Sequence, residues 1–221
     1  MMRNKKAGDS MRVLVHFFGG ILIWWSAAAV SAMAPAPNQA AFELVQTTTD
    51  ELLQRIVAKR EIYIQDNQIF FDEIQDLLDP VIDFERIARR VMAKYYKSAT
   101  VDQREKFVEV FKESLLKIYA KGLLEFDNQK VVVLDPPKNA EKRGDKQKVD
   151  IEVRDQGGAI FPISYSMYLD KTNAWKMENV IVNGINIGLT YRNQFSRLMK
   201  ENKNDIDLVI TDWTSKVNSN E

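Results

Sequence analysis

The sequence predicts an α+β fold: helices first, then an antiparallel meander, then helices again. Three observations carry this reading. Phe84, Ile87, Ala88, Val91, Met92 and Tyr95 recur at helical spacing, with Arg86, Arg89, Arg90 and Lys94 on the other side. Val149, Ile151 and Val153 alternate with Asp150, Glu152 and Arg154, and Phe161, Ile163, Tyr165, Met167 and Leu169 alternate with Pro162, Ser164, Ser166, Tyr168 and Asp170, which is the period of strands. Turn residues separate the strands at close intervals, so the strands form a meander. One face of that sheet is strongly apolar and must be covered, most simply by the long helices.

The elements follow in order. Arg3, Lys5, Lys6 and Arg12 precede an almost wholly apolar run from Val13 to Val30, and small residues follow it, the layout of a secretory signal peptide. Cleavage is expected after Ala32. Cleavage after Ala34 is the other option, with Pro35 next to the cut, and an uncleaved membrane anchor is the competing reading. Residues 33–46 are expected to be a flexible tail. Thr47 to Asp50 are cap-type residues ahead of a helix bearing Leu52, Leu53, Ile56 and Val57. A short helix follows from about Gln68 to Leu78, ended by Pro80. Thr100 and Gln103 form a capping box for a long helix with a broad band including Phe107, Phe111, Leu115 and Ile118.

A short apolar strand is expected from Val131 to Leu134, then a long charged turn through Lys148. Gly157-Gly158 reads as a hairpin turn. In the strand from Trp175, Met177 sits on the same side as Trp175, while Lys176 and Glu178 face the other way. The alternation then fails at Val180, Ile181 and Val182, so both faces are expected to be covered there. Asn183-Gly184 bends the chain into a helix, and a last amphipathic helix ends near Trp213. Residues 47–214 make one domain, and 215–221 a frayed tail.

Composition excludes several function classes. The 221 residues carry 31 basic and 31 acidic side chains, and without residues 1–32 the balance is −3, which does not suit nucleic acid. There is no Cys, and the single His is His16, inside the expected signal. The mature chain therefore has no His- or Cys-based catalysis, no His- or Cys-ligated metal and no disulfide framework. Acidic pairs such as Asp72/Glu73 read as solvated helix surface. A non-enzymatic protein without cofactor is expected.

Two segments carry a family resemblance: WKMENVIVNGINIGLTYRNQFSRLM, from Trp175 to Met199, and DFERIARRVMAKYYKSATVDQREKFVEVFKESLL, from Asp83 to Leu116. Together they resemble the MlaC or toluene-tolerance family of periplasmic phospholipid-binding proteins of Gram-negative bacteria. The resemblance implies a curved antiparallel sheet of cystatin/NTF2-like type, clasped by helices around an apolar lipid cavity. It implies phospholipid as cargo, periplasmic localisation and no stable membrane insertion. The implied partners are an outer-membrane lipoprotein–porin complex and an inner-membrane ABC transporter with a substrate-binding-type subunit, between which lipid is shuttled to maintain outer-membrane asymmetry.

Under that resemblance the expected helical lining is Val91, Tyr95, Phe107, Phe111, Leu115 and Ile118. The expected sheet lining is Val149, Ile151, Val153, Phe161, Ile163, Tyr165 and Met167, with Trp175, Met177, Ile181 and Ile185 beyond. Ordinary core is the competing reading for each. Asn183, Asn186 and Arg192 flank the strand–helix joint where a headgroup would sit, with solvated surface as the alternative. A non-catalytic envelope adaptor, and a carrier of another apolar lipid such as a hopanoid, are the other functional readings.

Overall fold

The computed structural model describes residues 37–124, 129–136 and 144–218. The expected signal peptide and both cleavage positions lie outside the described residues, as do residues 137–143 of the charged turn and 219–221 of the tail. Helices α1 (Pro37–Gln65), α2 (Asn67–Leu78), α3 (Phe84–Met92) and α4 (Val101–Leu124) come first. Strands β1 (Lys130–Val133), β2 (Lys146–Arg154), β3 (Ile160–Leu169), β4 (Trp175–Val182) and β5 (Ile185–Asn186) follow, then α5 (Ile187–Glu201) and α6 (Ile206–Asn218). The strands form one sheet in sequence order, antiparallel throughout.

The expectation of a flexible segment to residue 46 is corrected by α1, which starts at Pro37. Proline suits the first helical position, where its missing N–H costs nothing. Ala41 and Val45, one helical turn apart, are buried against the sheet. That burial overrides the cap-type residues Thr47 to Asp50, which lie inside the helix. At the other end, α6 continues past Ser215 to Asn218.

Side-chain caps set the other helix starts. Asp66 accepts from the N–H groups of Gln68 and Ile69, and Asp83 from that of Arg86 at 2.8 Å. The capping box expected before α4 is present: Thr100 Oγ1 accepts from Gln103 N–H at 3.2 Å, and Gln103 Oε1 from Thr100 N–H at 3.0 Å. Between α3 and a 3-10 turn, Ala93 takes φ 51° and ψ −120°. This is a conformation natural to glycine and strained for a residue with a Cβ.

The sheet holds one irregularity that organises the rest. Ser166 pairs with Asn179, but the next residue of β3, Met167, pairs with Met177, so Glu178 is an extra residue in β4. Such a bulge shifts the side-chain phase by one. Trp175 and Met177 face one side before it, and Val180 and Val182 face that same side after it. The failed alternation at Val180 to Val182 thus includes a phase change, with Ile181 on the face opposite Val180 and Val182 and all three half-buried.

Glu178 is 7% exposed and accepts from Arg86 Nε at 2.6 Å and Arg90 Nη2 at 2.8 Å, so α3 is tied to the bulge. Tyr168 adds to this seam: its hydroxyl donates to Asp83, and the Arg86 guanidinium lies 3.9 Å from its ring centroid.

Packing differs from the simplest expectation. The amino-terminal part of α1 lies against the sheet, and α3 and α5 flank β4. Helix α4, expected to cover the sheet, packs chiefly on α1, α2, α3 and α6. Its aromatic residues complete a helical core in which Phe107 meets Phe195 and Trp213 edge-on, at centroid distances of 4.8 and 5.1 Å. A separate core joins Ile56 and Tyr63 of α1 to Phe70 and Ile74 of α2 and Leu116 of α4.

Replacing Glu178 with alanine would leave two arginines facing a buried gap and would cost about 2–4 kcal/mol of unfolding free energy. Urea denaturation measures it, and a loss under about 0.5 kcal/mol would show that strand pairing alone holds the bulge. Conversely, Ala93→Gly should stabilise the fold by about 1 kcal/mol, because it relieves strain at a positive φ; an unchanged or lower urea midpoint would show that no strain is stored there.

Alkali tests the buried phenols. Tyr63 and Tyr168 are pushed up to about 12, first by burial and then by their hydrogen bonds to Glu73 and Asp83. Because the folded values are raised, this stabilisation is complete below the ordinary phenol value of about 10 and is lost as pH rises through about 12. Phenolate absorbance should show a late component that coincides with unfolding and shrinks in Tyr168→Phe. A single transition at the ordinary value would contradict this.

Candidate functional site

The register places one apolar face across all five strands. Val131 of β1 aligns with Val153 and Phe161, and Val133 with Ile151, Ile163, Val182 and Ile185. Val149 aligns with Tyr165 and Val180, Met167 with Met177, and Leu169 with Trp175. Adjacent partners in a sheet point to the same side, so these rows form one surface. No charged residue of the strands stands in them. The opposite face carries Lys148, Asp150, Glu152 and Arg154, joined in surface ion pairs.

Burial across this face is graded. Val133, Val149, Ile151, Met167 and Trp175 are buried beneath Ala41 and Val45 of α1. Val153, Ile163, Tyr165, Val180 and Val182 keep part of their surface accessible. At the far end Phe161 is 41% and Ile185 58% exposed. The apolar face thus runs from a packed floor under α1 to an open rim.

Tyr165 sits in the middle row. Protein surrounds it closely enough that desolvation alone raises its phenol above the ordinary value. Part of the residue nonetheless remains accessible. Among the described residues no hydrogen bond to its hydroxyl is found, in contrast to Tyr63 and Tyr168, whose hydroxyls donate to carboxylates.

The structure divides the expected lining into two groups. Val149, Ile151, Val153, Phe161, Ile163, Tyr165, Met167, Trp175 and Met177 share the apolar sheet face, and Ile185 joins them at its rim. Val91, Tyr95, Phe107 and Phe111 belong instead to the closed helical core, each 9% exposed or less, with Leu115 and Ile118 packed partly against it. Ile181 aligns with Ser164 and Asn186 and stands on the polar side, because the bulge reverses the phase after Met177.

Sequence reasoning missed Val180 and Val182, the α1 residues Ala41 and Val45, and Val131 and Val133. The phase reversal in Val180–Val182 was the signal for the first pair, and Pro37 followed by apolar residues one turn apart for the second. At the strand–helix joint, Asn183 has φ 49°, Asn186 caps α5 through Leu189 N–H at 3.0 Å, and Arg192 is exposed.

Among the described residues no group of three or more His, Asp or Glu is arranged to hold a metal, and no helix is long and apolar enough to cross a membrane.

Comparison with known proteins places this geometry. A family model described as MlaC protein matches residues 46–215. The toluene tolerance protein ttg2D of Pseudomonas putida is 39% identical over 180 residues, covering 81% of this chain and 82% of that protein. The intermembrane phospholipid transport system binding protein MlaC of Haemophilus influenzae is 28% identical over 177 residues, covering 77% of this chain and 78% of that protein. The phospholipid-binding protein from Ralstonia solanacearum, solved in complex with a phospholipid, superposes with a TM-score of 0.72 at 23% identity, over 81% of this chain and 97% of that one, and so shares its fold. The chain belongs to the MlaC family.

Proposed function

We propose that the protein is a non-enzymatic phospholipid carrier, whose acyl chains lie on the apolar sheet face between its floor under α1 and its open rim. The observation that carries this reading is the continuous apolar sheet face, still partly accessible at Tyr165 between Val149 and Val180 and open at Phe161 and Ile185. Apolar surface left unpacked forfeits about 25 cal/mol per Å², and a lipid tail supplies the missing cover. The kinship with a phospholipid transport binding protein of Haemophilus influenzae supports the same cargo.

The energetics suit a carrier. Each buried methylene is worth about 0.8 kcal/mol, so two chains of roughly fifteen methylenes gain ~24 kcal/mol over water. A bilayer offers nearly the same gain. Exchange between bilayer and protein is then close to balanced, and direction comes from the partners. The headgroup stays off the apolar face, because burying its charge there without a partner would be costly. In this reading the protein works in the periplasm after loss of its signal, moving lipid between an outer-membrane lipoprotein–porin complex and an inner-membrane ABC transporter through its substrate-binding-type subunit.

The sheet register supplies the test. Wild-type protein purified from cells with intact envelopes should yield about one phospholipid per chain on solvent extraction and mass spectrometry. Ile163→Lys, on the apolar face, should lower that content at least tenfold, while Ser164→Lys, its neighbour on the polar face, should retain it. Val182→Asn, closer to the rim, tests the same face with a milder change. Lipid-free wild-type protein, or an Ile163→Lys variant that folds and carries lipid normally, would overturn the proposal.

A further inference from the structure

A cavity of about 370 Å³ lies where α3, β3, β4 and the start of α5 meet. Ser166 and Asn179 line it, and these partners stand on the polar side of the sheet. It is therefore distinct from the apolar face and goes beyond the carrier reading. Beyond Ser166 and Asn179, its chemistry comes from Arg90, Glu178, Asn186 and Arg192.

The balance of charge and hydrogen-bonding groups is one-sided. Glu178 is the only acid in the lining, and its carboxylate already serves Arg86 at 2.6 Å and Arg90 at 2.8 Å, with Lys146 at 3.8 Å. Three cations share one carboxylate, which leaves a local positive excess. Arg192 adds a further positive charge, and among the described residues it has no ion pair or hydrogen bond.

The neutral groups point the same way. Asn179 Oδ1 accepts from Gly188 N–H at 3.2 Å, and Asn186 Oδ1 from Leu189 N–H at 3.0 Å. Both amide oxygens are committed, so each planar amide presents its NH₂ as the free group. The contact with Gly188 is close: a Cβ at that position would meet Asn179 Oδ1 at 2.5 Å, so glycine is what lets Asn179 settle there. These caps also occupy the first N–H groups of α5, so the cavity's spare donors are its side chains. A neutral or cationic ligand would find Glu178 already engaged. An oxyanion would find guanidinium, amide and hydroxyl donors together.

We propose that this cavity binds one phosphate-type oxyanion, with Arg192 as its principal ligand and Arg90, Ser166, Asn179 and Asn186 completing the shell. Inorganic phosphate and the phosphodiester of a lipid headgroup share this chemistry. The test is an NMR titration of the full-length mature protein at constant ionic strength, following the Gly188 amide, the Asn179 side-chain NH₂ and the Arg192 Nε–H. One arm uses inorganic phosphate, a second glycerophosphoethanolamine, and a third sodium chloride alone.

Saturable shifts with either phosphate compound, absent with chloride, are expected, and the compound that saturates at lower concentration identifies the source. Arg192→Gln should weaken the response at least tenfold, and Ser166→Ala should weaken it about threefold. Linear shifts without saturation, equal shifts with chloride, or an unchanged response in folded Arg192→Gln would overturn the proposal.

Discussion

The extra residue in β4 is the constraint on which the rest of this structure depends. Were Glu178 in regular register, Val180 and Val182 would project to the polar side and Asn179 would break the apolar face at its centre. With the bulge, five strands present one apolar surface, and a carboxylate is left at the junction with α3. Arg86 and Arg90 hold that carboxylate from one helix face, four residues apart, so the helix that begins at Asp83 is fixed to the strand that needs the phase change. Removing the carboxylate or its arginines would untie α3 from this strand.

Stability and apolar surface are kept in different places. The helical core around Trp213, with Phe107, Phe195 and Phe111, is closed and aromatic. The α1–α2 core is closed too, through Ile56, Tyr63 and Phe70. Only the sheet face is graded from packed to open. In a protein of this size one contiguous core is the usual solution. Dividing it lets the sheet face stay underfilled, because the helices around α4 do not depend on that face for their own burial.

The legible parts of the fold were those in which local pattern and tertiary burial agree. The stripe through Phe84, Ala88 and Val91 and the alternation of Val149, Ile151 and Val153 each has one period and one buried side, so sequence alone locates them. The Thr100–Gln103 box is legible because both partners lie three residues apart. The start of α1 was not legible. Its cap-type residues at 47–50 compete with a weaker signal at Pro37, and what decides is the sheet that Ala41 and Val45 meet, formed by strands about a hundred residues later. The candidate site split for the same reason. Periodicity shows that Phe107 and Phe111 are buried, but α6 supplies the indole that buries them. The bulge left a trace in the broken alternation, which without a partner strand reads equally as a strand covered on both faces.

The two sides of the sheet also separate two kinds of affinity. In the proposed carrier an acyl chain on the apolar face would be held by area alone, a term that is non-directional and nearly matched by any bilayer. It would hold lipid against water without preferring the protein over a membrane. Ionic groups behave differently, because their hydrogen bonds are directional and their strength falls as salt rises. Setting the cations of α3 and α5 on the polar side, away from the acyl surface, keeps the apolar rows free of charge. Under the proposal above, it also gives the protein an oxyanion site on the side of the sheet away from the apolar rows. For a chain with no His or Cys beyond residue 16, discrimination of this kind has to come from arginine, amide and hydroxyl groups. The bulge that completes the apolar rows is also what brings Glu178, and with it Arg90, to the cavity on the polar side.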